Sequence, residues 1–358
     1  MAPVARVHLG NIAANWRALD KVFPGAVTGA VVKADGYGLG AGPVTEALAA
    51  AGCGTFFVAY GDEGYDVRIA AGPEPAIYAF NGLVSGNEVN WGPDGVRPVL
   101  NSLEELGRWL AEAEGDAPFA LMVDTGMNRL GVRMDEIGAA LAALGTRAPA
   151  LVMSHLSCAD EPERAENGRQ LALFGEVARG FEGVPLSLAN SAGHGLGPEY
   201  GFDVTRPGLA LYGGGPAPVG VSLLPGVTVE AAVVAVRDVL AGETVGYGAG
   251  HIAHAPSRVA TVGMGYADGL PRSLGHRGVV SLAGVPCPII GRISMDLITV
   301  DVTGLEAGGG DQGLAKPGAR VEVIGAHVGL DEQAERAGTL GYELLTGLGQ
   351  RVEREYER

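Results

Sequence analysis

Apolar positions along this chain fall into two regimes. From residue 11 to about residue 215, short apolar runs alternate with segments whose apolar residues recur at the helical spacing of three and four. Residues 11–22 read as an amphipathic helix. The run 30–32 reads as a first strand, 42–51 as a helix, 55–60 as a strand, 65–71 as a short helix and 76–80 as a strand. Residues 96–101 form the next strand. Ser102, with Glu105 three residues on, then reads as the N-cap and capping box of a helix reaching about residue 114. A strand at 119–123, a helix at 134–144, a strand at 150–156 and a helix at 168–181 follow. The pieces 186–189 and 210–212 are the last strand-like runs.

Strands of this length alternating with helices predict βα units and a parallel sheet. About eight such units in roughly two hundred residues match a (β/α)8 TIM barrel in size. A dinucleotide-binding sheet fits less well, because GYGLG after Lys33 lacks the GxGxxG spacing and a following acidic ribose partner. After Pro216-Ala217-Pro218 the helical period fades and valine and glycine rise. Residues 227–239, 258–263, 278–282, 297–302 and 320–324 read as strands between glycine turns, with late helices near 331–338 and 342–348. The predicted organisation is an α/β barrel over residues 1–221 and a mostly-β domain over residues 222–358.

Composition narrows the function classes. The formal net charge is −16, and no basic stripe exists to meet a phosphate backbone, so nucleic acid is not an expected partner. No apolar run has membrane-spanning length, and the N-terminus lacks the charged-then-apolar design of a signal peptide, so a cytoplasmic protein is expected. Cys53, Cys158 and Cys287 are odd in number and far apart, which predicts free thiols. His251 and His254 lack a completing carboxylate or cysteine nearby, so no metal site is expected.

Lysine usage points to chemistry. Of 25 basic residues only Lys21, Lys33 and Lys316 are lysines, and Lys33 ends the first apolar run. A lysine amine can lose its proton and form a Schiff base; arginine cannot. A lysine at a strand end is also an ordinary snorkelling residue, so the neighbours decide. In a TIM barrel, functional side chains sit where strands end. That rule collects Lys33 and Tyr37, the loop from Asp124 to Arg129, Ser154 and His155, Asn190 and Ser191, and Arg206 with Gly208 and Leu209. Singly, each has a plain structural explanation as loop turn, surface ion or core histidine. Together they place a lysine across from a cradle of neutral donors: the Ser191 hydroxyl and the backbone N–H groups of Gly208 and Leu209. An aldehyde for the lysine and a phosphate for the cradle are the two ends of pyridoxal phosphate.

The motifs AVVKADGYGLG, VDTGMNRLGV, SHLSCADE, LANSAG, VTRPGLALYG, VGYGAG, VGMGYADG, GRISMD and LGYELLTGLGQRV run in order through nearly the whole chain. In this the chain resembles the alanine racemases, pyridoxal-phosphate enzymes of fold type III. The resemblance implies that Lys33 holds the cofactor covalently and is one of two bases, and that Tyr247 from a second subunit is the other. It implies that Tyr37, Asn190, Ser191, Gly208, Leu209 and Tyr342 surround the phosphate, that Arg206 faces the pyridine nitrogen and that His155 faces the ring. Arg129 and the Met295 N–H would bind the substrate carboxylate, and Tyr266, Arg272 and Asp296 would line the way in. A homodimer acting on alanine, supplying D-alanine to cell-wall peptidoglycan, is what the family implies.

Two positions depart from the family pattern. Met122 stands where many members carry a carbamylated lysine that positions the arginine equivalent to Arg129. Ser187 stands where a histidine often contacts the pyridine-facing arginine, so weaker support for Arg206 is expected. Related readings share parts of the pattern. Tyr247 and GYADG weigh against a decarboxylase, and residues 222–358 weigh against a single-domain cofactor carrier. A racemase with a wider substrate range and a phosphosugar-binding barrel stay open.

Overall fold

Eight parallel strand positions close a ring in the first part of the chain. Val27–Thr28 and Ala30–Val31 share the first position, followed by Thr55–Val58, Ala76–Ala79, Arg97–Leu100, Ala120–Asp124, Leu151–Met153, Leu186–Ser187 and Val204–Thr205. Each pairs in parallel with the next: Ala30 with Phe56, Phe56 with Ile77, Ala79 with Pro98, Val99 with Ala120, Leu121 with Val152, and Val152 with Leu186. Val204 pairs with Val27, and a parallel bridge between Asn190 and Arg206 joins the seventh position to the eighth. The barrel is therefore closed, as the alternating pattern predicts. The computed structural model describes residues 2–84, 91–92, 95–113, 115–307 and 314–358.

The pleat sorts the side chains. In Ala120–Asp124, Leu121 and Val123 join a core with Trp109, Phe119, Ala140, Phe174 and Val177 under the outer helices. Alternation then turns Ala120, Met122 and Asp124 toward the barrel interior. Burying a residue such as Phe174, which has no exposed surface, contributes roughly 1.5–3 kcal/mol. The expected helix after Ser102 spans Leu103–Glu112; residue 114, where it was expected to end, lies outside the described residues. Ser102 Oγ accepts the Glu105 N–H at 3.1 Å. The Glu105 carboxylate closes no box on Ser102, and instead accepts the N–H groups of Asn101 at 2.8 Å and Leu83 at 3.2 Å.

One expected strand is a helix turn. Residues 209–212 form the 3-10 turn Leu209–Tyr212, capped by left-handed Gly213. The eighth strand is Val204–Thr205, just before it. All four residues of the turn are buried, and an apolar run buried on every side has no period by which to tell strand from helix.

A second compact unit comprises Pro225–Arg358 and the segment up to Asn11; the barrel unit runs Ile12–Leu224. The second unit is built on the thirteen-residue strand Val227–Val239. Its first half pairs antiparallel with Val4–His8 and with Arg320–Ile324, and its second half with Ser257–Val262. From Ser257–Val262 the order runs through Ile298–Asp301, Val285–Ile290 and Val279–Leu282 back to Arg320–Ile324, so six strands close on themselves. A bulge between Val233 and Ala235 lets one strand serve both halves. Val279–Leu282 and Val285–Ile290 form a hairpin across Ala283 (φ 53°) and Gly284 (φ 82°), the backbone of a type I′ turn. Val285–Ile290, Val4–His8 and the C-terminal strand Glu353–Glu357 were not expected. Among the described residues, no helix is long and apolar enough to cross a membrane, and no group of histidines, cysteines and carboxylates could hold a metal ion.

Candidate active site

Lys33 leaves the first barrel strand and enters an unusual turn. Ala34, Asp35, Gly36 and Tyr37 all have positive φ, at 52°, 53°, 62° and 58°. A run of left-handed residues, three of them not glycine, costs roughly 1–2 kcal/mol per residue and persists only where its surroundings impose it. Here they do. Gly36 N–H donates to Val32 O at 2.9 Å, Gly38 N–H to Ala34 O at 2.7 Å and Gly40 N–H to Asp35 O at 2.8 Å. Asp35 Oδ1 accepts the Ala41 N–H at 2.7 Å, and Glu63 Oε1 accepts the Ala34 N–H at 2.8 Å. The turn presents Lys33 at the mouth and folds Tyr37 back into the wall, where it is buried.

Burial lowers the Lys33 pKa from its ordinary value. The charge of Arg129 lowers it further, and Glu63 opposes both. The amine lies 5.8 Å from the centroid of the Phe80 ring, which stacks on Phe57 at 5.4 Å. Glu63 and Phe80 were both missed from the sequence. Phe80 directly follows the strand Ala76–Ala79, so the strand-end rule reaches it, but an apolar ring carries no chemical signal of its own.

The residues of the expected cradle come together at the last strands. Ser191 Oγ accepts the N–H groups of Gly208 at 2.8 Å and Ala210 at 3.2 Å. A Cβ at position 208 would stand 2.2 Å from the Tyr37 hydroxyl oxygen, so only glycine lets the tyrosine lie against this backbone. The Tyr37 ring packs on Tyr212 with centroids 4.8 Å apart. The Tyr212 hydroxyl is buried without a partner among the described residues. Asn190 turns its side-chain oxygen into its own loop, accepting the Gly193 N–H at 2.9 Å.

Arg206, His155 and Arg129 gather near Lys33, close enough to influence one another's charge. Arg206 is buried with no carboxylate against it among the described residues, and burial alone pulls its pKa down to about 9, which leaves it charged at neutral pH. Its guanidinium donates to Ser187 Oγ and, at 2.6 Å, to Ser154 O. Ser187 thus supports Arg206 directly, against the expectation of weaker support. His155 is held neutral: burial first, then Arg206, Arg129 and Lys33, push its pKa down to about 3. Ser154 Oγ meets Thr125 Oγ1 at 2.7 Å, and Gln170 Nε2 donates to Thr125 Oγ1 and to His155 O, at 3.2 and 2.8 Å. This network joins the loop of Arg129 to the strand end that holds Arg206. Asp124 Oδ1 accepts the N–H groups of Gly126 and Asn128, so it shapes the Arg129 loop from within. Arg129 is exposed and has no ion pair among the described residues, and buried Met122 offers it none.

Six predicted residues lie in the second unit. Tyr247 sits in a turn between Gly246 (φ 78°) and Gly248 (φ 68°) and is 71% exposed. Tyr266, Met295 and Tyr342 are also exposed. Tyr266 N–H donates to Ser294 O at 3.1 Å and Ala267 N–H to Met295 O at 3.0 Å, so the GYADG and ISMD turns are laced together. The Met295 N–H has no partner among the described residues. Arg351 reaches both turns, bonding Asp268 at 3.0 Å and Asp296 at 2.9 Å. Arg272 is exposed on a short 3-10 turn.

These features fit pyridoxal phosphate: a depressed lysine amine for its aldehyde, a glycine-lined cradle beside an unpartnered buried hydroxyl for its phosphate, and a guanidinium held by neutral acceptors for its ring nitrogen. A closed barrel carrying that set defines the barrel class of pyridoxal-phosphate enzymes. Residues 7–216 match the family "Alanine racemase, N-terminal domain" and residues 226–356 match "Alanine racemase, C-terminal domain". An alanine racemase of Dinoroseobacter shibae is 48% identical over 352 residues, 98% of this chain and 97% of the relative. A catabolic alanine racemase of Agrobacterium fabrum is 43% identical over 357 residues, 98% of this chain and 91% of the relative. The crystal structure of alanine racemase from Bartonella henselae with covalently bound pyridoxal phosphate has a TM-score of 0.92 at 35% identity, covering 100% of both chains. The chain belongs to the alanine racemase family and is a pyridoxal-phosphate-dependent racemase of alanine.

Proposed function

We propose that alanine is racemised here by two bases, Lys33 and the Tyr247 of a second copy, on opposite faces of the substrate Cα. Bound pyridoxal phosphate supplies the electron sink that makes the alanine Cα–H acidic. Racemisation removes a proton from one face and returns one to the other, so one base is needed on each side. Lys33 holds the cofactor and works on one face; its depressed pKa suits an amine that must be free of its proton near neutrality. Tyr247 works on the other face. Its 71% exposure in a single chain supports the dimer, because a proton-transfer group works best shielded from water and a second copy supplies the shield.

The remaining residues bind and orient. Tyr37, Asn190, Ser191, Gly208, Leu209 and Tyr342 hold the phosphate. Arg206 stays charged and keeps the ring nitrogen unprotonated, while neutral His155 packs beside the ring. Arg129 and the Met295 N–H take the substrate carboxylate, and Tyr266, Arg272 and Asp296 line the way in. No carbamate is expected at Met122, and Arg129 takes its orientation from the Asp124 loop. The working division is a barrel domain over 1–221 and a β domain over 222–358, except that the segment up to Asn11 packs with the β domain. The biological role is a cytoplasmic supply of D-alanine for peptidoglycan.

The observation that carries this reading is the gathering of Lys33, Arg129, His155 and Arg206 around one mouth, where Glu63 is the carboxylate acting on Lys33. The test is complementation between subunits. Lys33→Ala and Tyr247→Phe homodimers are each expected to be inactive. Mixing them should restore about a quarter of wild-type activity, because half the random dimers are mixed and each mixed dimer has one intact site. A mixture as inactive as its components sinks the shared site.

A further inference from the structure

Glu63 has no part in the roles above, yet it touches the backbone on both sides of the Lys33 mouth. Its Oε1 accepts the Ala34 N–H at 2.8 Å, next to the lysine. Its Oε2 accepts the Ala59 N–H at 2.6 Å and the Tyr60 N–H at 3.2 Å, at the end of the second barrel strand. One carboxylate thus ties the first residue of the left-handed turn to the neighbouring strand. Its own position is fixed from behind. Glu63 opens the helix Glu63–Ala71, and a Cβ on the next residue, Gly64, would lie 2.3 Å from Val96 Cγ2. The helix start can therefore neither rotate nor withdraw without opening that contact.

We propose that Glu63 is a positioning residue for Lys33: its carboxylate latches the strained turn after the lysine to the second strand and so aims the amine. The proposal rests on Lys33 being one of two bases. The strained turn needs such a latch, because left-handed Ala34 and Asp35 relax toward ordinary backbone once released. The amine moves with that backbone, and a displacement of about 1 Å at a reacting group can cost on the order of a hundredfold in rate. The groups facing the amine are Arg129, neutral His155, Glu63 and the Phe80 ring, and the Glu63 charge acts against that of Arg129.

The test uses the holoenzyme variants Glu63→Gln and Glu63→Ala, with the exposed neighbour Asp62→Asn as control. A glutamine has one acceptor oxygen, so it holds one arm of the latch and turns an amide N–H against the other. Glu63→Gln is expected to lower kcat roughly ten- to a hundredfold with KM for alanine within about twofold, while melting temperature and cofactor content stay at wild-type values. Hydrogen exchange in the segment 30–40 should quicken. The kinetic isotope effect with α-deuterated alanine should rise for one enantiomer and not the other, since Lys33 serves one face. Wild-type kcat in both variants overturns the proposal. So does a kcat loss matched by lost cofactor, which makes Glu63 merely structural. If Glu63→Ala does not fold, Glu63→Gln decides alone. An isotope effect that rises equally for both enantiomers instead counts against the two-base reading, with the kcat change still reporting on the latch.

Discussion

Arg206 donates from its guanidinium to the hydroxyl of Ser187, and that hydroxyl in turn donates a hydrogen bond to Val204 O. A serine too short to reach across the barrel works here because it stands on the adjacent strand, with no exposed surface. Ser187→Ala would leave a buried, charged donor without its partner. The expected cost is about 1–3 kcal/mol of unfolding free energy, read from urea melts, with Arg206 still held by Ser154 O. An unchanged melting midpoint would show that the pair contributes nothing.

Gly208→Ala tests the cradle. The backbone at Gly208 has φ −127° and ψ −86°, outside the regions an L-residue favours, so alanine there meets backbone strain as well as the collision with Tyr37. Tyr37 must move, and the phosphate loses its fit. Cofactor affinity, measured by reconstituting the cofactor-free protein, is expected to fall about tenfold or more, equivalent to ~1.4 kcal/mol.

Acid sensitivity should follow from the buried imidazoles. Burial pushes His194 from 6.5 to about 4, although its bond to Asn190 opposes the shift, and His155 is pushed to about 3. The unfolded chain takes up these protons first, so stability is full above pH 6.5 and falls as pH drops through the window toward 4. His194→Gln is expected to flatten that slope, saving on the order of 2 kcal/mol between pH 6.5 and about pH 4.5. Denaturant melts at a series of pH values check it; a slope unchanged in the variant would assign the acid loss to other groups.

Arg351 bridges the turns that carry Tyr266 and Met295. Its contact with Asp296 is exposed on both sides and worth little, whereas Asp268 is 3% exposed and also accepts the Gly265 N–H at 2.8 Å. Arg351→Gln should therefore act through Asp268. We expect KM for alanine to rise roughly threefold with kcat little changed, and Asp296→Asn to raise it less. Equal effects from the two variants would place the weight on the exposed pair instead.

Much of this architecture is legible from periodicity. Seven of the eight barrel positions and their helices stand out because the apolar period switches between strand and helix, and Lys33 stands out because lysine is rare here. The eighth position, Val204–Thr205, is two residues long and was hidden by the apolar run beside it. The turn after Lys33 could not be foreseen, because Ala34, Asp35 and Tyr37 do not favour left-handed backbone; bonds within residues 32–41 and one from the distant Glu63 impose it. Glu63 looks like any acid in a first helical turn, and only the fold brings it to Ala34. Ser187 was visible as a departure, but its reach depends on a neighbouring strand, which no spacing reports.

The strand Val4–His8 pairs with Val227–Val239 on one side and Glu353–Glu357 on the other. During synthesis it emerges before the barrel, while its partners emerge more than two hundred residues later, ~10–40 s at ordinary elongation rates. Through that interval it is an unpaired edge with apolar Val4, Ala5 and Val7, which are buried only when the sheet is complete. The nascent chain therefore carries an open docking edge until its last strand arrives. For this protein, the hazard of mispairing between neighbouring ribosomes lies at Val4–His8.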